Sequence, residues 1–317
     1  MSSVWWWVLA IALIVGGVIG TFLPVLPGAA LVFAGMLLAA WIDDFQRVGW
    51  ITLSILGLLT ALLFSHGVFS RTPGSMHTGK SAQLIFLMVT VALWLGSINA
   101  AREIVKERDV FSRELAVGVR IPSYIASKLV VLFAFSAIQV SLFSLIVVVF
   151  QPLHESFNRA FLLWAVLVVT SWIAALLGLI VSASASSQDQ ATAIIPLLLV
   201  PQLLLGGAIV TLKDMSIPIH GLAELIPARW GFAAAGSAIH LQERIAADPT
   251  FQQVNSYGST FFQTSFFEFL VVMTAIGAVL ALLLRHLLQP DAERLVTIAR
   301  RWVSEVANGR VTTSASA

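Results

Sequence analysis

Residues 74–81, GSMHTGKS, have the types and spacing of a phosphate-binding loop, G-x-x-x-x-G-K-[ST]. Such a loop binds nucleotide when a buried strand leads into it and a soluble helix leaves it, because backbone amides at the helix N-terminus contact the phosphates. Here both flanks are long apolar runs, and no apolar run ending in Asp follows within a soluble fold. We therefore predict that these residues form a flexible turn and bind no ATP.

Other residue patterns typical of catalysis or metal binding are missing from the sequence. The absence of cysteine excludes disulfides, thiol catalysis and thiolate-bound metals. The histidines are scattered, and none of them has a second histidine four residues away, as zinc ligands on a helix would. They are His66, His77, His154, His220, His240 and His286. Without an acid pair, nucleophile elbow or dinucleotide fingerprint, the sequence predicts no catalytic residue, no metal site and no cofactor on this chain.

Gln139, Ser171 and Gln202 are polar residues inside apolar runs, where an unpaired polar group is costly in free energy. One interpretation is that these side chains line a path for a substrate. The other is that they form hydrogen bonds from helix to helix. The sequence leaves both interpretations open.

The composition predicts that these residues lie on or between membrane-spanning helices. Hydrophobic residues make up 58% of the chain and charged residues 11%, which fits no soluble class. The apolar runs approach the roughly 20 residues that a helix needs to cross the hydrocarbon core, and they lack the alternation of a membrane barrel. We predict an all-α, polytopic membrane protein with about eight spans, of which the short second one has a re-entrant hairpin as its alternative. The spans are expected at 4–22, 28–42, 50–67, 81–99, 124–150, 158–183, 191–211 and 264–288.

Lysine and arginine set the predicted orientation. Placing residues 100–123 in the cytoplasm puts twelve of the 18 Lys and Arg residues on that side and six on the other. Both termini are then cytoplasmic and residues 212–263 external, in what we expect to be a bacterial inner membrane. The net charge of +2 arises in membrane-flanking segments, so contact with lipid headgroups explains it and nucleic-acid binding is not expected.

Residues 99–121 are too charged to span the membrane but periodic enough to form a helix. The apolar residues share one face and the acidic residues another. The apolar set is Ile104, Phe111 and Leu115, and the acidic set is Glu103, Glu107 and Glu114. We predict an amphipathic helix along the cytoplasmic surface, with a solvated loop helix as the alternative. A second interfacial piece is expected at 227–244, and a short amphipathic helix after Pro290.

Four stretches of the sequence carry a resemblance to a known family. They are ALWLGSINAAREIVKERDVFSREL (92–115), YIASK (124–128), QDQATAIIPLLLVPQLLLGGAIV (188–210) and LIPARWG (225–231). In sequence and order they resemble the membrane domain of type-2 ATP-binding-cassette (ABC) transporters, including the G subfamily, over residues 50–290. The resemblance implies six spans in that range, a cytoplasmic connecting helix after the second and an external helical region before the last.

The resemblance also divides the chain. Residues 1–63 resemble an uncharacterised family of small bacterial membrane proteins, and the two resemblances meet inside one predicted span. We predict an N-terminal membrane hairpin of unknown function at 1–49, the transporter domain at 50–290 and a cytoplasmic tail at 291–317.

The resemblance implies roles for two groups of residues. The connecting helix would receive motion from an ATPase through Arg102, Glu103, Lys106 and Glu107. A central valve between two subunits would be formed by Leu203, Leu204, Leu205, Gly206 and Gly207. Without the resemblance, the prolines at 196 and 201 make the second group a kinked packing helix.

The implied protein is a permease subunit of an exporter. It would work as a homodimer, or as a heterodimer with a similar membrane domain, and dock a nucleotide-binding ATPase subunit that carries the ATP and Mg. The apolar spans favour a hydrophobic or amphipathic substrate. The alternative is a membrane scaffold or inactive fusion that keeps the fold without transport.

Overall fold

The computed structural model describes residues 77–116, 118–151, 156–210, 215–247 and 260–307, together with Phe69 and Tyr257. Within these ranges the chain forms helices and short connections, and no strand. The α-helices are α1 (His77–Ala100), α2 (Arg108–Ala116), α3 (Ile121–Phe150), α4 (Phe157–Ser184), α5 (Gln188–Leu205), α6 (Ile217–Ala223), α7 (Pro227–Ala238), α8 (Leu241–Ala247) and α9 (Phe266–Ala307). Short 3-10 turns lie at Val105–Glu107 and Phe261–Gln263.

Five of the described helical segments are long and apolar enough to cross a membrane. They begin at Thr78, Ile121, Phe157, Gln188 and Phe266. Each corresponds to a span predicted from the sequence, at 81–99, 124–150, 158–183, 191–211 and 264–288, so the all-α, polytopic membrane fold is confirmed. The spans predicted at 4–22, 28–42 and 50–67 lie outside the described residues.

The connecting segment, residues 101–120, is not the single helix that its periodicity predicts. An α-helix resumes only at Arg108, after turns and a 3-10 turn. The reason is a side chain from α4, because the Ser182 hydroxyl accepts hydrogen bonds from the backbone N–H groups of Ile104 and Val105, at 2.9 and 3.0 Å. In a continuous helix these amides would bond to carbonyls four residues back.

Two helix ends also differ from the predicted ones. α5 ends at Leu205 rather than near residue 211, because Gly207 has a φ of 91°, the left-handed conformation that ends many helices. The last predicted span, 264–288, matches the apolar stretch Phe266–Gln289, but α9 continues through Pro290 to Ala307, so the helix predicted after Pro290 is part of α9. A proline removes one helical hydrogen bond, and the leucine, alanine and arginine residues on either side favour the helix enough to continue it.

The centre of the bundle is the crossing of α1 and α4, where the two backbones approach at glycines. A Cβ atom added at Gly96 would lie 2.0 Å from the carbonyl oxygen of Ser171, and one added at Gly178 would lie 2.4 Å from that of Ser97. Ser97 Oγ also donates a hydrogen bond to the carbonyl oxygen of Ala174, at 3.2 Å. Small residues let two membrane helices approach this closely, and the contact between α1 and α4 is the most extensive one between described helices.

α7, the first part of the interfacial piece predicted at 227–244, is packed among the other helices, and its position relative to the membrane surface stays a prediction. The helix packs against α1 and α4, and its Phe232 side chain is fully buried. The small residues of α7 explain this burial, since a Cβ atom added at Gly231 would lie only 2.9 Å from Thr170 Oγ1. A helix with larger side chains would be kept at the surface.

Candidate functional site

The connecting segment is attached to the bundle through an apolar face. Ile104, Phe111 and Leu115 are buried in a cluster with residues of α3, α4 and α9. The rings of Phe111 and Tyr124 pack with their centroids 4.4 Å apart. The predicted amphipathic character of the segment is therefore confirmed, and its apolar face lies against the spans.

A lysine of α3 pairs with two carboxylates of the segment. Lys128 Nζ lies 3.3 Å from Glu103 Oε2 and also contacts Glu107 Oε2. Lys106 Nζ lies 2.7 Å from Glu103 Oε1. The side chains of Lys128 and Glu103 are 18% and 24% exposed, whereas that of Lys106 is 42% exposed. Both carboxylates thus contribute to ion pairs on the bundle side of the segment.

Sequence reasoning counted Lys128 for orientation and within the stretch YIASK, but did not identify it as a site residue. The signal that could have found it is a charge inside an apolar run, since Lys128 lies within the span Ile121–Phe150. A charge in such a position is stable only when it is paired or reaches water. The carboxylates of the preceding connecting segment are the nearest partners along the chain.

Hydrogen bonds attach the segment to the end of α4 as well. The Ser182 hydroxyl accepts from two backbone amides of the segment. In addition, Arg108 Nη2 donates to the carbonyl oxygen of Ala183 at 2.8 Å. Arg102, one of the predicted coupling residues, is partly buried in the turn after α1. The connecting segment is therefore joined to α3 by ion pairs and to α4 by hydrogen bonds.

The opposite face of the segment is exposed and carries both signs of charge. It consists of Lys106, Asp109, Val110 and Arg113. These residues are three or four positions apart, which places them along one side of the segment. Among the predicted coupling residues, Lys106 lies on this exposed face, whereas Glu103 and Glu107 are drawn towards Lys128.

The structure places the three predicted pathway residues inside the helix packing. Gln139 is buried, and its Oε1 accepts a hydrogen bond from the Asn99 amide. Ser171 is buried and donates to a carbonyl of its own helix at 2.8 Å. Gln202 is buried and accepts a hydrogen bond from the Ala228 backbone N–H at 3.1 Å. These contacts favour helix-to-helix bonding for Gln139 and Gln202, and a place in a substrate path stays a prediction.

The predicted valve residues lie where α5 ends. Leu204 is 45% exposed, Leu203 and Leu205 are partly buried, and Gly206 and Gly207 are buried. Leu204 continues an exposed apolar strip along α5, with members three, four or seven residues apart. The strip consists of Leu197, Val200 and Leu204. Closure of a path by the leucines stays a prediction.

Glu224, Arg229 and Trp230 interact at the start of α7. They lie next to the Ala228 backbone N–H that donates to Gln202. Arg229 Nη2 lies 2.7 Å from Glu224 Oε1, and the guanidinium stacks on the Trp230 ring with 4.2 Å to its centroid. Trp230 Nε1 donates to the Glu224 carbonyl oxygen at 2.8 Å. Burial lowers the pKa of Arg229, and the charges of Glu224 and Glu268 offset part of this effect. These contacts join the residue after α6 to the first turn of α7, while the Gln202 bond to the Ala228 amide joins α7 to α5.

α1 begins at His77, inside the pattern of the phosphate-binding loop. Lys80 and Ser81 therefore lie in the first turns of an apolar helix, and Ser81 is buried. Residues 74–76 lie outside the described residues. The helix that leaves the pattern is a candidate membrane span, as the sequence argument expects. That these residues bind no ATP stays a prediction.

Comparison with known proteins identifies a matching family and a similar protein. The profile of the family described as ABC-2 type transporter matches residues 31–239. Over 167 residues, 51% of the chain, the sequence is 28% identical to the ABC transporter ATP-binding/permease protein Rv1747 of Mycobacterium tuberculosis. The matched part spans 19% of the length of that relative. The predicted division of the chain at residues 49 and 50 stays a prediction.

Proposed function

This chain belongs to the ABC-2 type transporter family, and we propose that it is the membrane subunit of an exporter driven by a separate ATPase subunit. That it is a permease component of a transport system follows from the family match and the apolar helices. The direction of transport, the ATPase partner and the substrate are the proposal. The observation that carries it is the connecting segment with one face buried on the spans and one face exposed.

A segment with one buried and one exposed face can transmit movement of a bound ATPase to the membrane spans. A movement reaches the spans only if the segment is attached to them through packed side chains and hydrogen bonds. The apolar cluster, the ion pairs and the bonds to the end of α4 provide that attachment. The exposed face then offers charged groups to a partner. The relative from Mycobacterium tuberculosis is an ATP-binding/permease protein, which supports such a pairing.

A second membrane subunit would cover the exposed strip of α5. We expect two copies of this chain, or one copy and a similar domain, to face each other across Leu197, Val200 and Leu204. The predicted valve lies at the end of this strip, so the path would run between the subunits. Its apolar walls favour a hydrophobic or amphipathic substrate, because a charged substrate would lose hydration there without gaining partners.

The exposed face of the connecting segment is the place to test the proposal. The tagged full-length chain is purified from the membranes of its own host in mild detergent, and vanadate-sensitive ATP hydrolysis of the eluate is measured. Asp109→Arg combined with Arg113→Glu should lower the recovered hydrolysis about tenfold, because reversed charges no longer match the partner. The exchange keeps the net charge of the segment, so insertion and orientation in the membrane should not change.

The control for the double variant reverses an exposed charge outside the connecting segment. Glu243 in α8 is 76% exposed, and Glu243→Arg should leave the recovered hydrolysis within about twofold of that of the parent chain. Equal recovery with the parent and the double variant would exclude docking through this face. If the parent itself recovers no ATP hydrolysis, the membrane scaffold becomes the better interpretation.

A further inference from the structure

We propose that Lys128 is a positioning residue that fixes the connecting segment to α3 and so transmits movement of the segment to that span. The proposal rests on the proposed function, because the movement comes from the ATPase. It assigns Glu103 and Glu107 to attachment within the chain, and leaves docking to the exposed face with Lys106.

Lys128 is shared by two carboxylates of like charge. Glu103 and Glu107 are four residues apart, close enough for their carboxylates to repel each other. Lys128 Nζ contacts both of them and so compensates both charges from the bundle side. Lys106 also approaches them, at 2.7 and 4.0 Å, but it is more exposed and its attraction is more strongly screened by water. Since Lys106 belongs to the segment itself, Lys128 is the cation that joins these carboxylates to α3.

α3 also makes an apolar contact with the segment, next to the ion pairs. Tyr124 lies one turn before Lys128 on the same side of α3, and its ring packs on Phe111 of the segment. Lys128 Nζ lies 5.9 Å from the centroid of the Tyr124 ring. Two contacts one turn apart restrain the segment against tilting, which a single ion pair would not do.

The connecting segment is attached to α4 by groups other than those that attach it to α3. Ser182 and Arg108 join the segment to the end of α4 through backbone amides and a backbone carbonyl. Neither contact involves Lys128. Removing the charge of Lys128 should therefore loosen the segment from α3 and leave its attachment to α4 in place.

The test of attachment uses backbone hydrogen–deuterium exchange of the full-length chain in lipid nanodiscs. Lys128→Met keeps the length and apolar stem of the side chain and removes its charge. Exchange in residues 106–113 should become about tenfold faster than in the parent chain, because local opening is easier. The matched control Lys106→Met changes the other cation at the same carboxylates and should stay within about twofold. Lys128→Arg should keep the slow exchange of the parent.

The test of transmission uses the chain with its ATPase bound. In the parent complex, ATP with vanadate should change exchange in residues 121–135 of α3 relative to the nucleotide-free complex. In Lys128→Met this change in α3 should be lost, while ATPase recovery and the change near Ser182 remain. A charge exchange, Lys128→Glu with Glu107→Lys, should restore the response, which a merely structural residue would not do.

Each outcome decides the proposal. Parent-like exchange in Lys128→Met, or faster exchange throughout α1 and α4, would overturn it, the first by showing no attachment and the second by showing a general role in folding. A retained α3 response in Lys128→Met would overturn transmission. Failure of the parent to recover an ATPase would refute the proposed function and with it transmission, whereas exchange in the isolated chain would still decide the attachment.

Discussion

The helices α1 and α5 belong to the same bundle but are packed in opposite ways. In the most apolar stretch of the span that begins at Thr78, 78% of the residues are buried within the chain, against 22% in α5. Glycine and serine bring α1 into backbone contact with α4, whereas α5 contains two prolines and exposes Leu204. The α1–α4 crossing is therefore held by contacts within the described part of the chain, whereas the exposed side of α5 is open to lipid or to the second subunit proposed above.

The largest expected effect is at the crossing. Gly96→Ala places a methyl group 2.0 Å from the Ser171 carbonyl oxygen, so the helices must separate. We expect the free energy of unfolding to fall by roughly 3 kcal/mol, at the upper end of what overpacking costs. The measurement is unfolding by sodium dodecyl sulfate in mixed micelles, followed by circular dichroism.

Gly221 of α6 provides the control for this substitution. A Cβ atom added there meets no other atom within 4 Å, so Gly221→Ala should be neutral or stabilise the helix by up to about 1 kcal/mol. If Gly96→Ala unfolds at the same detergent concentration as Gly221→Ala, the crossing is not the tight contact that the comparison requires.

Two leucines of α5 test the other half of the comparison. Leu199 is 3% exposed and Leu204 is 45% exposed. Leu199→Ala should lower the free energy of unfolding by about 2 kcal/mol through the cavity it leaves. Leu204→Ala should lower it by less than about 0.5 kcal/mol, because few contacts within the chain are lost. Both values come from the same unfolding titration.

The same leucine also tests the valve. Combining Leu203→Ala with Leu204→Ala should increase passive efflux of an amphipathic dye from proteoliposomes, because less apolar bulk closes the path. Leu199→Ala, which alters the bundle-facing side of α5, is the control and should not raise efflux. Parent-like efflux in the double variant would mean that these leucines serve packing alone.

A smaller effect is expected where α5 ends. Gly207 has a φ of 91°, which costs a residue with a side chain about 1–2 kcal/mol. Gly207→Ala should therefore lower the free energy of unfolding by about 1 kcal/mol. Gly207→Asn is the comparison, since asparagine adopts this conformation more readily and should cost less. Equal stability of all three chains would show that the end of α5 rearranges freely.

The spans in the described ranges could be predicted because apolar length is a local property of the sequence. The two faces of the connecting segment could be predicted for the same reason, since Ile104, Phe111 and Leu115 recur at helical spacing. The ion pairs of Lys128 could have been predicted, because a cation inside an apolar run requires a partner or access to water.

The interruption of the connecting helix could not be predicted, because it depends on Ser182, which lies 77 residues from Val105 in the sequence. The burial of α7 escaped prediction for a related reason. Its small residues give a weak apolar signal along the chain, and only the fit of Gly231 against Thr170 reveals why they are small. Both features are set by contacts with α4, which no local pattern reports.

The smallest expected effect separates two explanations of the α1–α4 crossing. Ser97 Oγ donates to the Ala174 carbonyl oxygen, which as part of α4 retains its own helical partner when the hydroxyl is removed. Hydrogen bonds between membrane helices average about 0.6 kcal/mol, so Ser97→Ala should lower the free energy of unfolding by less than about 1 kcal/mol. The unfolding titration in mixed micelles measures this difference.

Ser182→Ala is the reference with which the free-energy loss of Ser97→Ala is compared. The Ser182 hydroxyl accepts from two backbone amides, so its removal leaves both unpaired and should cost about 1–3 kcal/mol. If Ser97→Ala costs less than Ser182→Ala and far less than Gly96→Ala, close backbone packing holds the crossing together. If Ser97→Ala instead costs as much as Gly96→Ala, the hydrogen bond is the main contact, and the contrast with α5 is one of polarity rather than of packing.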